Sequence, residues 1–68
     1  MKDEILRVLR EHPNGLRQRY VASEIGCWTA SPGLVASLWE LEQAGKIVSI
    51  LHRDIGNMES FYIWKISS

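Results

Sequence analysis

Apolar positions along the chain follow two periods, one near 3.6 residues over roughly the first two thirds and one near 2 over the remainder. In "KDEILRVLREH" Ile5, Val8 and Leu9 share a helical face with His12 at its end, while Lys2, Arg7, Arg10 and Glu11 lie elsewhere. This predicts a first helix. Asp3 and Glu4 favour its N-terminus, and "HPNG" stops it, because Pro13 disfavours helical geometry at His12 and Asn14-Gly15 tolerates positive φ. Leu16 anchors a short extended piece. "RQRYVASEIG" then predicts a second helix of about two turns, with Val21, Ala22 and Ile25 inward and Gly26 as its stop. After "CWTAS", the stretch "SPGLVASLWELEQAG" predicts a third helix with Ser31 as N-cap and Pro32 at the first helical position. Leu34, Leu38 and Leu41 form its inward stripe, and Gly45 ends it.

The period-2 segments are "KIVSILHR" and "SFYIWKI", rich in β-branched and aromatic residues, separated by "DIGNME" with its Gly56-Asn57 turn pair. They predict a two-stranded hairpin. Because an isolated hairpin is marginal in water, one face has to pack on the helices, and the alternate row Tyr62, Trp64 and Ile66 is the expected inward one. Phe61, Ile63 and Lys65 form the opposite row. No internal repeat, low-complexity segment or linker interrupts the pattern, so residues 1–68 read as a single domain.

Length restricts this domain to one small core, since a chain of this size buries only about 60% of the surface its unfolded form exposes. A content of 46% apolar and 24% charged residues fits a globular protein rather than a disordered one. No apolar run approaches the roughly 20 residues of a membrane span, and "MKDEILRVLREH" is too charged for a signal peptide, which points to the cytoplasm and away from membranes. A lone cysteine, Cys27, excludes an internal disulfide and a multi-thiolate metal site. His12 and His52 have no second ligand at metal spacing, and no nucleophile, base and orienting group come together, so neither a metal, a cofactor nor catalysis is expected. Eight basic residues balance eight acidic ones; any attraction to a polyanion therefore depends on where the charges sit.

Three helices followed by a hairpin, with "YVASEIG" on the second helix, "LVASLWELEQAGKI" running from the third into the first strand and the ending "FYIWKI", resemble the winged helix-turn-helix family over residues 3–66. The resemblance implies an α+β fold, a three-helix bundle with a C-terminal β-hairpin wing, in which the third helix is the recognition helix of a DNA-binding regulator. The "WKI" ending is also similar to the Z-alpha domains that bind left-handed nucleic acid. Their paired lysines, asparagine and aromatic fall here on Ser31, Pro32, Val35 and Trp39, so only the aromatic is kept.

On that reading the third helix directs Pro32, Val35, Ala36, Trp39, Glu40 and Gln43 outward or sideways, with no Lys or Arg before Lys46. Ser31, Ser37 and Gln43 can hydrogen-bond to bases and Ala36 can touch a thymine methyl group, whereas phosphate contacts have to come from Arg17, Arg19, Lys46 and Arg53. The expected partner is duplex DNA, bound by a homodimer that doubles the contacts of one small unit and acts in transcription. A rival reading is a protein-interaction module, because a neutral, aromatic third helix suits a protein groove. Val35 and Trp39 are its candidate contact residues. At least one of Trp28 and Trp39 is expected to be partly exposed; one account has Trp28 covering the end of the core and Trp39 leaning on the wing, and the other makes them a contact for a partner protein or a dimer mate.

Overall fold

The computed structural model describes residues 1–56 and 58–67. Its elements run α1 (Lys2–Glu11), β1 (Leu16–Arg17), α2 (Gln18–Ile25), α3 (Pro32–Gln43), β2 (Ile47–Asp54) and β3 (Glu59–Ile66). The fold is α+β: three helices lie on one side of a small antiparallel sheet of order β1-β3-β2.

Each helix forms where the apolar period requires it and stops for a local reason. After α1, the His12 carbonyl accepts a hydrogen bond from the Gly15 N–H at 2.8 Å, closing the Pro13-Asn14 turn. Helix α2 ends at Gly26, whose left-handed φ of 76° lets the Cys27 N–H reach back to the Ala22 carbonyl at 2.9 Å and the Gly26 N–H to that of Ser23 at 3.3 Å. This satisfies carbonyls the helix would otherwise leave open. Ser31 stands at the N-cap of α3, but its side chain makes no capping hydrogen bond, so Pro32 and the Ser31 carbonyl, which accepts from Val35 N–H at 3.0 Å, start the helix.

Leu34, Leu38 and Leu41 of α3 are buried against Ile5 and Leu9 of α1 and Val21 and Ala22 of α2. Ile47, the first residue of β2, is also fully buried and closes this core from the sheet side. No polar or charged side chain is buried among the described residues. Leu16, Ile25, Cys27, Trp64 and Ile66 pack around its edge, half-buried.

The sheet has one strand more than the expected hairpin. Leu16 pairs with Trp64 and Arg17 with Ile63, so the extended piece before α2 becomes β1 and makes β3 the central strand. The β2–β3 ladder runs from Ile47↔Ile66 to Asp54↔Glu59, about 23 Å at the usual rise per residue. Only its lower part lies under helices. Tyr62, expected inward with Trp64 and Ile66, is therefore 60% exposed: it shares their face but stands beyond the helical layer, where nothing covers that face. At the far end Ile55 and Gly56 are in a turn and Met58 has a φ of 56°. Asn57, the other half of the expected turn pair, lies outside the described residues.

Two substitutions test this packing. Leu38→Ala should cost about 2–5 kcal/mol in urea-unfolding free energy, because Leu38 is fully buried and truncating it removes apolar burial and leaves a cavity in the core. Gly15→Ala should cost about 1–3 kcal/mol although Gly15 is outside the core. Its φ is +92°, and an added Cβ would overlap Cγ2 of Ile63 and stand 3.0 Å from the Trp64 carbonyl oxygen. An unfolding midpoint unchanged by Gly15→Ala would contradict the close approach of this turn to β3.

Candidate nucleic-acid interface

The leucine stripe fixes the rotation of α3 and hence everything its other positions face. Pro32, Val35, Ala36, Trp39, Glu40 and Gln43 are all exposed, as the helical period predicts, with Val35 47% and Trp39 60% accessible. Ser31 and Ser37 are half-buried, so of the expected base-contacting set only Ala36 and Gln43 stand fully on the solvent face. The acidic residues of α3 are engaged at its flanks. Lys2 of α1 forms an ion pair with Glu40, and Ser49 Oγ of β2 donates a hydrogen bond to Glu42 Oε2 at 2.9 Å. These contacts hold α3 between α1 and the sheet.

The four expected phosphate-binding residues do not come together. Arg17 is half-buried on the sheet face away from the helices, where its guanidinium stacks 4.1 Å from the centroid of Phe61. His52 lies against the other side of this cluster, its ring 5.1 Å from that of Phe61. Arg19 is exposed at the start of α2, 5.5 Å over the ring of Tyr20. Arg17 and Arg19 line a hollow of about 450 Å³ with Gln18, Ser49, Tyr62 and Trp64. Arg53 stands near the far end of β2 beside Leu51, Ile55 and Met58. Lys46 immediately precedes the opposite end of that strand, about 23 Å from Arg53 at the usual rise per residue, in a depression shared with Leu6, Arg10 and Ile66. Lys46, at the base of the hairpin, thus has Arg10 as its basic neighbour, while Arg53 stands near the hairpin's far end.

The ion pairs among the described residues are those of the N-terminal ammonium with Glu4 and of Lys2 with Glu40. Arg17, Arg19 and Arg53 accordingly carry no carboxylate partner there; two of them lie over aromatic rings, a contact that leaves the guanidinium edge free to donate.

Trp28 is 75% exposed, which overturns the account in which it covers the end of the core: it sits on the turn between α2 and α3, past the last buried layer. It shares a depression with Arg19, Tyr20, Ser23, Cys27 and Thr29. The turn itself is held by an interaction the sequence did not signal, the Gln18 side-chain amide donating to the Thr29 carbonyl at 2.7 Å. A backbone acceptor eleven residues away leaves no side-chain pattern to read. Tyr20 and Tyr62 are likewise exposed aromatics near the arginines that periodicity alone did not single out.

Among the described residues no three His, Cys, Asp or Glu side chains gather as a metal set, and no helix is long and apolar enough to cross a membrane. No family model, curated protein or solved structure gives a significant match to this chain.

Two measurements check the geometry of the turn. Gln18→Ala should lower stability by about 1 kcal/mol through loss of the Thr29 bond. In acrylamide quenching, Trp28→Phe should remove the most accessible part of the tryptophan emission and Trp64→Phe the least accessible. Equal effects of the two replacements would place Trp28 under cover.

Proposed function

We propose that the chain is a winged helix-turn-helix protein that binds duplex DNA without chemistry and regulates transcription, with α3 as recognition helix and the β2–β3 hairpin as wing. The observation that carries this reading is the exposed outer face of α3, accompanied by arginines on α2's approach and on the hairpin that have no carboxylate partner among the described residues. Base contacts come from Gln43 and Ala36, with Ser31 and Ser37 reaching from the helix flanks, and specify sequence. Phosphate contacts come from Arg17, Arg19 and Arg53 and from Lys46 at the base of the sheet, and position the helix. A homodimer supplies the additional phosphate and base contacts that one such unit lacks.

A second reading rests on a specific observation, the adjacent exposure of Val35 and Trp39 one turn apart on a helix that carries no cation. In it α3 docks into an apolar groove of a protein partner. Salt separates the two, since counterion release makes phosphate binding fall steeply with ionic strength and apolar burial does not.

In fluorescence anisotropy with duplex DNA, log K should fall linearly with log salt concentration, and the Arg17→Ala, Arg19→Ala double variant should flatten that slope by about 4, roughly one unit for each of the four phosphates per dimer no longer neutralised. Trp39→Ala should leave the slope unchanged. A double variant that binds like the parent at every salt concentration removes the phosphate assignment.

A further inference from the structure

Two hollows adjoin at the start of α2. The first, of about 450 Å³, is lined by Ser49, Tyr62 and Trp64, which share the helix-side face of the sheet, and by Arg17, Gln18 and Arg19, where β1 passes into α2. The second, of about 350 Å³, has Arg19 in common with it and is otherwise lined by Tyr20 and Ser23 of α2 and by Cys27, Trp28 and Thr29 of the following turn. A hydrogen bond ties the two together, since the Gln18 amide of the first donates to the Thr29 carbonyl of the second at 2.7 Å.

Rings and guanidinium groups are interleaved across this surface. Tyr62 is 60%, Tyr20 49% and Trp28 75% exposed, and Trp64 lies half-buried beside Tyr62. Arg17 and Arg19 have no carboxylate partner among the described residues and are held over the rings of Phe61 and Tyr20. No Asp or Glu lines either hollow, although the chain has eight; Glu42 accepts from Ser49 Oγ but does not itself line the first. No residue of α3 lines them either.

Cations select a polyanion, and exposed rings select flat faces to stack on. A duplex supplies only the first, because its base faces are used up within its own stack. Bases of a single strand are free to be splayed onto aromatic side chains. An acidic peptide would satisfy the arginines and leave the rings without flat partners. We propose that the two hollows bind single-stranded nucleic acid, one base stacking on Tyr62 and the next on Trp28, with the phosphate between them on Arg19 and the adjacent one on Arg17. Stacking of this kind tolerates any base, so binding is largely indifferent to sequence. The site shares two arginines with the duplex reading but nothing of α3, so strand and duplex compete for one chain and the two readings fail separately.

The test is fluorescence anisotropy with a short labelled oligothymidylate, which should bind and quench tryptophan emission. Trp28→Ala and Tyr62→Ala should each weaken strand binding about tenfold, in line with the loss of one stacked base. Both side chains are exposed, so both variants should melt like the parent. Trp28→Phe and Tyr62→Phe keep a ring and should retain most of the affinity, and Trp28→Ala should bind duplex as the parent does. An abasic strand of the same length keeps the phosphates and loses both stacks, so it should bind about a hundredfold more weakly; it leaves the protein unaltered and decides the matter even where an alanine variant fails to fold. An abasic strand that binds as tightly as oligothymidylate, or alanine variants that bind it like the parent, overturn the proposal. Displacement of the strand by an equal concentration of polyglutamate or of thymidine monophosphate also overturns it, in favour of an acidic protein or a free nucleotide. Duplex binding without oligothymidylate binding removes this site alone, and ring-dependent strand binding without duplex binding removes the duplex reading alone.

Discussion

Removal of three leucines from water governs this molecule. Leu34, Leu38 and Leu41 are the only buried residues of α3, and with Ile5, Val8, Leu9, Val21, Ala22 and Ile47 they are the buried apolar residues among those described. A protein with so few buried side chains has little stability in reserve, because net folding free energies are small differences between large terms. The same stripe dictates orientation. Once it is seated, the period of the helix leaves Val35, Ala36, Trp39 and Gln43 no choice but to face solvent. The exposed face of α3 is thus a by-product of core packing, and its aromatic character is set by sequence positions that packing leaves free.

Features carried by local periodicity were legible in the sequence. The three helices, the leucine stripe, the left-handed stop at Gly26 and the outward set of α3 depend on residues within a few positions of one another. What escaped depends on geometry between distant segments. Nothing around Leu16 announces that it will pair with Trp64, nor around Gln18 that its amide will reach Thr29. Tyr62 has the correct parity for the inner face but stands too far along the hairpin for a helix to cover it; alternation specifies a face, and only the lengths of neighbouring elements specify where coverage ends. Lys46 at the base of the hairpin and Arg53 near its tip were separable in the sequence, and a strand of eight residues sets the two ends apart by most of the domain's width.

Charge is arranged so that neutrality overall does not mean neutrality everywhere. Glu40 pairs with Lys2, and Glu42 accepts a hydrogen bond from the Ser49 hydroxyl while keeping its charge, so neither acid of α3 forms an ion pair with an arginine among the described residues. Arg17 and Arg19 lie over Phe61 and Tyr20 instead of over carboxylates. Stacking of this kind orients a guanidinium without neutralising it, whereas an ion pair would do both. Arginines held in that way, beside exposed aromatic rings, form a surface able to meet either phosphates or a partner's acidic and apolar groups. The choice between those partners rests on how much of the binding free energy is ionic.

Strand β3 occupies the middle of the sheet although it follows both of its neighbours in the chain. During synthesis, β1 and β2 therefore wait as unsatisfied ribbons until residues 59–66 emerge, and only then can the ladder zip. Nascent helices can nucleate early around their own local contacts, but completion of the native topology must be a late, all-at-once event. That ordering makes a ribosome-bound or prematurely terminated product the form of this polypeptide most prone to sticking to its own kind.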